Sequence, residues 1–290
     1  MAGTDPAGTV RPLSAHDLPG ALALSAAAHW NQVEADWRWM LGAGQGWGLH
    51  VADDRGASVL AASALILPYG EDFAWTSMVL VAPAFRRRGF ATRLLQIALE
   101  AIAADGRIAM LDATPAGRPV YLPLGFQDCW GFTRHRRTAA VHASPSGRSR
   151  PLAERDWPAI AALDRSAFGA DRLPLLRHLA IRQPAAARVV ESAGRLRGAV
   201  FARDGRTANQ IGPLLADEPS TALALLDDAL AAMPGAVCVD LLDRRRDALA
   251  PWLAERAFVA ERPFMRMARG RAAAPGSAER TWLVAGPELG

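Results

Sequence analysis

Apolar and polar residues alternate with two different periods along this chain, most clearly in its first half. Apolar runs that end at turn residues predict strands over 47–52, 58–67 and 73–82. Apolar positions then recur at helical spacing over 90–104. A short strand over 107–112 and a short helix that carries Tyr121 near its end follow. This order is typical of a mixed α/β domain that opens with an antiparallel meander.

Two stretches are expected at the surface. The glycine-rich run 42–48 precedes a strand and lacks the spacing of a dinucleotide-binding fingerprint, so we expect a rim loop. Arg134, Arg136 and Arg137, together with His135, are expected to form a solvated strand face.

The chain repeats itself. Arg11-Pro12-Leu13 with Asp17, Pro19 and Leu24 recurs at a constant offset of 139 as Arg150-Pro151-Leu152 with Asp156, Pro158 and Leu163. Leu111-Asp112 similarly resembles Val239-Asp240, and Gly125-Phe126 resembles Ala257-Phe258. We therefore predict two copies of one fold, over 1–142 and 150–290, with a linker over 143–149.

Composition excludes several classes of protein. All 33 basic residues are arginine, which excludes a lysine nucleophile. Because 29 acidic residues reduce the net charge to +4, we expect no nucleic-acid partner. The chain has no basic and then apolar leader and no apolar run of about 18 residues, so we expect no membrane association. The two cysteines and six histidines show no disulfide or metal spacing, so we expect no metal and a cytoplasmic location.

One segment has the pattern of a phosphate-binding turn. After the strand that ends near Val81, Arg86-Arg87-Arg88-Gly89 leads into a helix that begins Phe90-Ala91-Thr92. A glycine turn at a helix N-terminus presents free amides and partial positive charge, and the arginines add fixed charge. The segment predicts a cradle for a pyrophosphate, and a solvated arginine turn is the alternative.

This segment resembles motif A of the GNAT superfamily of acyl-CoA-dependent N-acyltransferases, in which (Gln/Arg)-x-x-Gly-x-(Gly/Ala) follows a strand ending in Val-x-Pro. Arg86, Gly89 and Ala91 fit the motif. The run from Tyr121 to Gly125-Phe126 matches the superfamily's Tyr-x-x-x-Gly-Phe ending. The resemblance implies two tandem GNAT-like domains, each a mixed, largely antiparallel twisted sheet flanked by helices.

The resemblance also implies roles for individual residues. Val79, Leu80 and Val81 would offer backbone groups to the pantetheine arm of acetyl-CoA, and residues 86–92 would hold its pyrophosphate. Tyr121 would point at the thioester sulfur and protonate the departing thiolate. A backbone amide near Leu80 and Val81 would stabilise the oxyanion.

The second copy departs from motif A. Its counterpart of the cradle reads Ile211-Gly212-Pro213-Leu214-Leu215-Ala216-Asp217-Glu218-Pro219-Ser220, with acids in place of arginines and no glycine at the turn. Because those carboxylates would repel a pyrophosphate, we expect a degenerate copy that binds no CoA. It would cover the acceptor side of the first copy or supply an oligomer surface, as in a homodimer.

The general base and the acceptor site are less sharply marked. The strand before motif A carries no carboxylate that could serve as the general base. The remaining candidates for the general base are Asp112, Glu71, Asp72, His29 and a base that acts through water. Asp112 could equally cap the next helix. Trp30, Trp37 and Trp75, with Trp39, could form an aromatic wall for the acceptor or could pack in the core.

Two functions follow from these features. The first is an N-acetyltransferase that passes an acetyl group from acetyl-CoA to the amine of a small molecule or amino acid in a ternary complex. The second is a catalytically silent acyl-CoA-binding sensor or regulatory module.

Overall fold

The computed structural model describes residues 8–53, 55–138 and 144–290. They form two compact units, the first up to Met110 and the second from Leu111 onward. In these residues no helix is long and apolar enough to cross a membrane.

The first unit is a sheet with helices packed against it. Its elements are β1 (Thr9–Pro12), α1 (Leu18–Ala27), α2 (Glu34–Ala43), β2 (Gln45–Ala52), β3 (Ser58–Tyr69), β4 (Phe73–Val81), α3 (Phe90–Ala104) and the beginning of β5 (Ile108–Ala113). The strands lie in the order β1-β2-β3-β4-β5, and each neighbouring pair is antiparallel except β4 and β5. These bounds confirm the predicted meander and helix to within about two residues.

The second unit holds the rest of the chain. Its elements are the end of β5, α4 (Arg118–Tyr121), β6 (Phe126–Arg137), β7 (Arg150–Pro151), α5 (Trp157–Phe168), α6 (Leu173–Arg182), β8 (Arg188–Ser192), β9 (Arg195–Arg203), β10 (Asn209–Ala216), α7 (Pro219–Ala231), β11 (Val237–Leu242), α8 (Arg246–Glu255), β12 (Val259–Arg269) and β13 (Thr281–Leu283). Eight of its strands lie in the order β12-β6-β11-β13-β10-β9-β8-β7.

The last strand of the first copy lies among strands of the second. β6 pairs antiparallel with β12 on one side and with β11 on the other. Phe132 lies opposite Phe264, and the two rings stack with centroids 5.0 Å apart. The compact units therefore do not coincide with the sequence repeat, whose domain boundary stays a prediction.

The position of β6 makes the predicted solvated face wrong. Arg134, His135 and Arg137 are buried, and side chains from later in the chain cover two of them. Arg134 lies 5.5 Å from the centre of the Phe264 ring, and Arg137 lies 5.8 Å from that of Phe258. Arg134 is neutralised there by Asp240, to which it donates hydrogen bonds of 2.8 and 2.7 Å.

The predicted linker is partly held in place. Its first residue, Ala143, lies outside the described residues. The amides of Gly147 and Ser149 donate to the Asp228 carboxylate of α7 at 3.1 and 3.0 Å. These bonds fix the end of the linker against α7 within the second unit.

The glycine-rich run is not a rim loop. Its second half is buried in β2, where glycine leaves room for neighbouring side chains. A Cβ on Gly48 would lie 2.6 Å from Leu60 and 2.7 Å from Leu13. Gly46 and Gly48 therefore serve close packing.

Candidate active site

The turn between β4 and α3 presents backbone amides that have no partner in the helix. Arg87 and Gly89 have φ values of +62° and +77°, and Gly89 is the N-cap of α3 without any side-chain cap. The first helical hydrogen bond runs from the Arg93 amide to the Gly89 carbonyl at 3.0 Å. The amides of residues 90–92 are therefore free to bind an anion.

Three arginines precede these amides in the turn. Arg86, Arg87 and Arg88 are exposed, and no carboxylate in the described part of the chain forms an ion pair with them. Arg86 donates to the Val81 carbonyl at 3.4 Å, and Arg88 lies 5.3 Å from the centre of the Phe85 ring. A Cβ built on Gly89 meets nothing within 4 Å, so the space above the turn is open. Free amides, fixed positive charge and open space fit the diphosphate that the sequence predicted.

β4 contains a bulge just before this turn. Ser63 of β3 lies opposite Leu80, whereas Leu65 lies opposite Ser77, so β4 has one extra residue in between. Met78 accordingly has a φ of +51°, and its carbonyl accepts a 2.8 Å hydrogen bond from the Ser63 hydroxyl. The parallel pairing of β4 with β5 ends at Trp75, before the bulge. A bulge re-aims backbone groups, and it lies slightly earlier than the Leu80–Val81 position expected from the sequence.

Tyr121 is the last residue of α4. Its ring is half-buried, 5.8 Å from the Phe126 ring and edge-on to it, and a Cβ on Gly117 would lie 3.0 Å from it. Burial raises the pKa of Tyr121 to about 12, above the value near 10 assumed from the sequence. The phenol therefore remains protonated throughout the neutral range.

Asp112 is engaged in a buried ion pair. Arg266 of β12 donates from Nε and Nη2 to its two oxygens, both at 2.9 Å. Burial raises the pKa of Asp112 above its ordinary value although Arg266 opposes the shift. Asp112 does not cap α4, because the Gly117 amide donates to the Thr114 hydroxyl instead, at 3.1 Å.

The same kind of ion pair occurs twice, and each time it joins an arginine of one copy to an aspartate of the other. Arg266 follows Phe264 by two residues in β12, as Arg134 follows Phe132 in β6, and Arg134 binds Asp240 of β11 as Arg266 binds Asp112 of β5. Because the second copy lacks the cradle, the repeated pair indicates a role in the fold. A catalytic role for Asp112 stays a prediction.

The other candidates lie in less suitable positions. Trp37 and Trp75 have no exposed surface, and Trp37 donates to the Ser25 hydroxyl at 3.0 Å, so both are core residues and not an open wall. Trp30 is half-buried. Glu71 and Asp72 lie in the turn before β4, roughly 20 Å along the strand from Met78 at about 3.3 Å per residue.

The second copy has no room for a cradle. Between β10 and α7 only Asp217 and Glu218 remain, and α7 begins with a proline, which has no amide hydrogen. Asp217 pairs with Arg197 at 2.6 Å. The position equivalent to Tyr121, four residues before Ala257, is Leu253.

The sequence motifs miss three of these features. The Met78 bulge, the Ser63 hydrogen bond and the Arg266 partner of Asp112 depend on strand pairing that a single motif does not contain. The repeat alone pointed to Asp112 and Asp240 as equivalents. No group of three or more potential metal-binding side chains occurs in the residues described.

Comparison with known proteins agrees with this architecture. Residues 45–128 and 160–282 each match a model of the acetyltransferase (GNAT) domain. No curated protein matches significantly by sequence.

Solved structures share the fold at low sequence identity. A putative acetyltransferase from Pyrococcus horikoshii has 18% identity and a TM-score of 0.80, over 100% of this chain and 98% of that chain. A GCN5-related N-acetyltransferase from Sphaerobacter thermophilus has 18% identity and a TM-score of 0.63, over 94% and 98%. A tandem GNAT protein from the clavulanic acid biosynthesis pathway has 18% identity and a TM-score of 0.62, over 90% and 98%. The predicted fold class is confirmed, and the chain is a two-domain member of the GNAT acetyltransferase superfamily.

Proposed function

We propose that this protein is an N-acetyltransferase that passes an acetyl group from acetyl-CoA directly to the amine of a small molecule or amino acid. The turn at the start of α3 carries the proposal, since its free amides follow three exposed arginines that form no ion pair with a described carboxylate. A diphosphate in this turn gains charged hydrogen bonds without breaking an ion pair of the described residues. It competes only with the long hydrogen bonds of Arg86 and Arg88 to the carbonyls of Val81 and Ala84. Acyl transfer is the general chemistry of the superfamily.

The proposed acyl transfer assigns a different role to the coenzyme, to the backbone near Met78 and to Tyr121. Bound acetyl-CoA would supply the electrophilic thioester carbonyl. The backbone around the Met78 bulge lines the coenzyme and offers an amide to the carbonyl oxygen. Tyr121 donates its phenolic proton to the departing sulfur. Because its pKa is about 12 and that of a comparable thiol is about 8.5, the sulfur must be desolvated as well for this transfer to be efficient.

A silent acyl-CoA sensor is the second candidate. It is favoured by the engagement of Asp112 with Arg266, which leaves the general base unassigned. A screen of amines, amino acids and peptides with acetyl-CoA, read as release of free CoA thiol, separates the two. Acceptor-dependent thiol release supports the enzyme, whereas tight acetyl-CoA binding without release from any acceptor supports the sensor.

A further inference from the structure

Two parallel strands separate partway along the second unit. β10 and β11 are paired only over Asn209–Ile211 and Val237–Val239. Just beyond, β10 has a one-residue bulge, since Ile211 lies opposite Ala202 of β9 and Leu214 lies opposite Val200. This arrangement repeats the bulge of β4 in the first copy. A split of this kind leaves the facing backbone groups of both strands without sheet partners.

The chain itself fills this split. Leu283 of β13 lies opposite both Leu214 of β10 and Leu241 of β11. The indole nitrogen of Trp282 donates to the Ala216 carbonyl at 3.0 Å, and the Val284 amide donates to the Asp240 carbonyl at 3.1 Å. β13 thus bonds to both strands at the point where they separate.

Residues after β13 are also buried and bonded to the rest of the second unit, as the strand itself is. Trp282, Leu283, Val284, Ala285 and Leu289 are each at most 2% exposed. The Glu288 carboxylate forms an ion pair with buried Arg203, and Arg172 donates to the Gly290 carbonyl. Gly212 of the β10 bulge is required for this fit, since a Cβ there would lie 2.1 Å from the Val284 carbonyl oxygen.

We propose that the cleft between β10 and β11 is a binding site for an extended peptide, and that residues 281–290 are its resident ligand. Recognition combines main-chain hydrogen bonds, as in strand addition, with a buried pocket for one indole ring and a cation for one carboxylate. The second copy therefore has the same separation of two parallel strands as the first copy, but β13 occupies the space between them. This assignment goes beyond acyl transfer and does not depend on it.

Cleavage of the folded chain tests the proposal. A protease site inserted between Ala272 and Ala273, which are both exposed, would separate the segment without touching β13. We expect the cut segment to co-elute with the remainder on native gel filtration and to leave only in denaturant. Dissociation of the segment from a remainder that stays folded would overturn the proposal.

Exchange of a synthetic peptide tests the chemistry of recognition. After the cut segment is removed in denaturant, a labelled peptide of residues 277–290 should be taken up when the remainder refolds. Its Trp282→Ala version should then dissociate at least tenfold faster. The Glu279→Ala peptide is the control, because Glu279 is exposed. Equal dissociation of all three peptides would contradict the pocket for the indole.

A variant of the intact chain tests the same site without cleavage. Gly212→Ala should speed hydrogen exchange of the Val284 amide at least tenfold, because the new methyl group collides with the segment. Gly235→Ala is the matched control, since Gly235 also has a positive φ, +80°, but its Cβ would meet nothing within 4 Å. Equal exchange at Val284 in the two variants would count against a fitted ligand.

Discussion

At the scale of single residues, the environment of each candidate side chain indicates whether it fits a catalytic or a structural role. Tyr121 has no hydrogen-bond partner within the described chain, and its burial keeps the proton on the phenol. Asp112 has both oxygens bound to Arg266. A group that must give up or take up a proton needs a free position, so Tyr121 fits a catalytic role better than Asp112 does.

Tyr121→Phe tests the proposed acid. The substitution keeps the ring that packs on Phe126 and removes the proton donor, so acetyl-CoA affinity and thermal stability should hardly change. Turnover should fall by about 10²- to 10⁴-fold if thiolate departure limits the rate. Near-normal turnover with a good acceptor, or a loss of several degrees in Tm, would return Tyr121 to a packing role.

The raised pKa of Tyr121 predicts the form of the pH profile. A donor with a pKa of about 12 stays protonated from pH 7 to about 10, whereas an ordinary tyrosine would be half ionised near pH 10. The kcat at saturating substrate should therefore show no falling limb up to about pH 10. A fall with an apparent pKa near 10 that disappears in Tyr121→Phe would contradict the effect of burial.

The paired variants Asp112→Asn and Asp240→Asn separate fold from catalysis. Each breaks one of the two equivalent buried bidentate pairs, Asp112 with Arg266 or Asp240 with Arg134, so each should lower the free energy of unfolding by about 3–5 kcal/mol. The kcat of folded Asp112→Asn should stay within about tenfold of the parent. A specific loss of about 10²-fold or more in Asp112→Asn alone would identify Asp112 as the general base.

At the scale of elements, local sequence patterns were sufficient to predict the features that depend only on residues close in sequence, such as helix bounds and turns. Helical spacing of Leu94, Leu95, Ala98 and Ile102 predicted the bounds of α3, because its apolar stripe is buried against the sheet. The motif likewise predicted the turn at Gly89. The burial of β6 could not be predicted, since it depends on partners more than 100 residues away.

Gly89→Glu tests the turn as an element. The side chain would place bulk and negative charge among the amides and arginines, so acetyl-CoA binding should be lost. Gly106→Glu is the control at the other end of α3, because Gly106 has a similar φ, +71°, and equally open space. Calorimetry on both folded variants is the measurement. Normal binding by Gly89→Glu, or equal loss in both, would refute the assignment of the turn.

At the scale of the whole molecule, the two copies share a fold but differ in their clefts. The first copy has a turn with free amides and three exposed arginines, whereas the second has a two-residue connection and a split filled by β13. The repeat in the sequence predicted the two copies, and the acids at Asp217 and Glu218 predict that the second copy binds no CoA. The filling of the second cleft was not predictable, because residues 281–290 resemble no motif.

The stoichiometry of acetyl-CoA binding tests the central claim most directly. Isothermal titration of the intact chain should give a value near one acetyl-CoA per chain, and no binding by Gly89→Glu. One site is expected because the second copy has neither free amides with arginines nor an open split. A stoichiometry near two, or one site that survives in Gly89→Glu, would contradict the account.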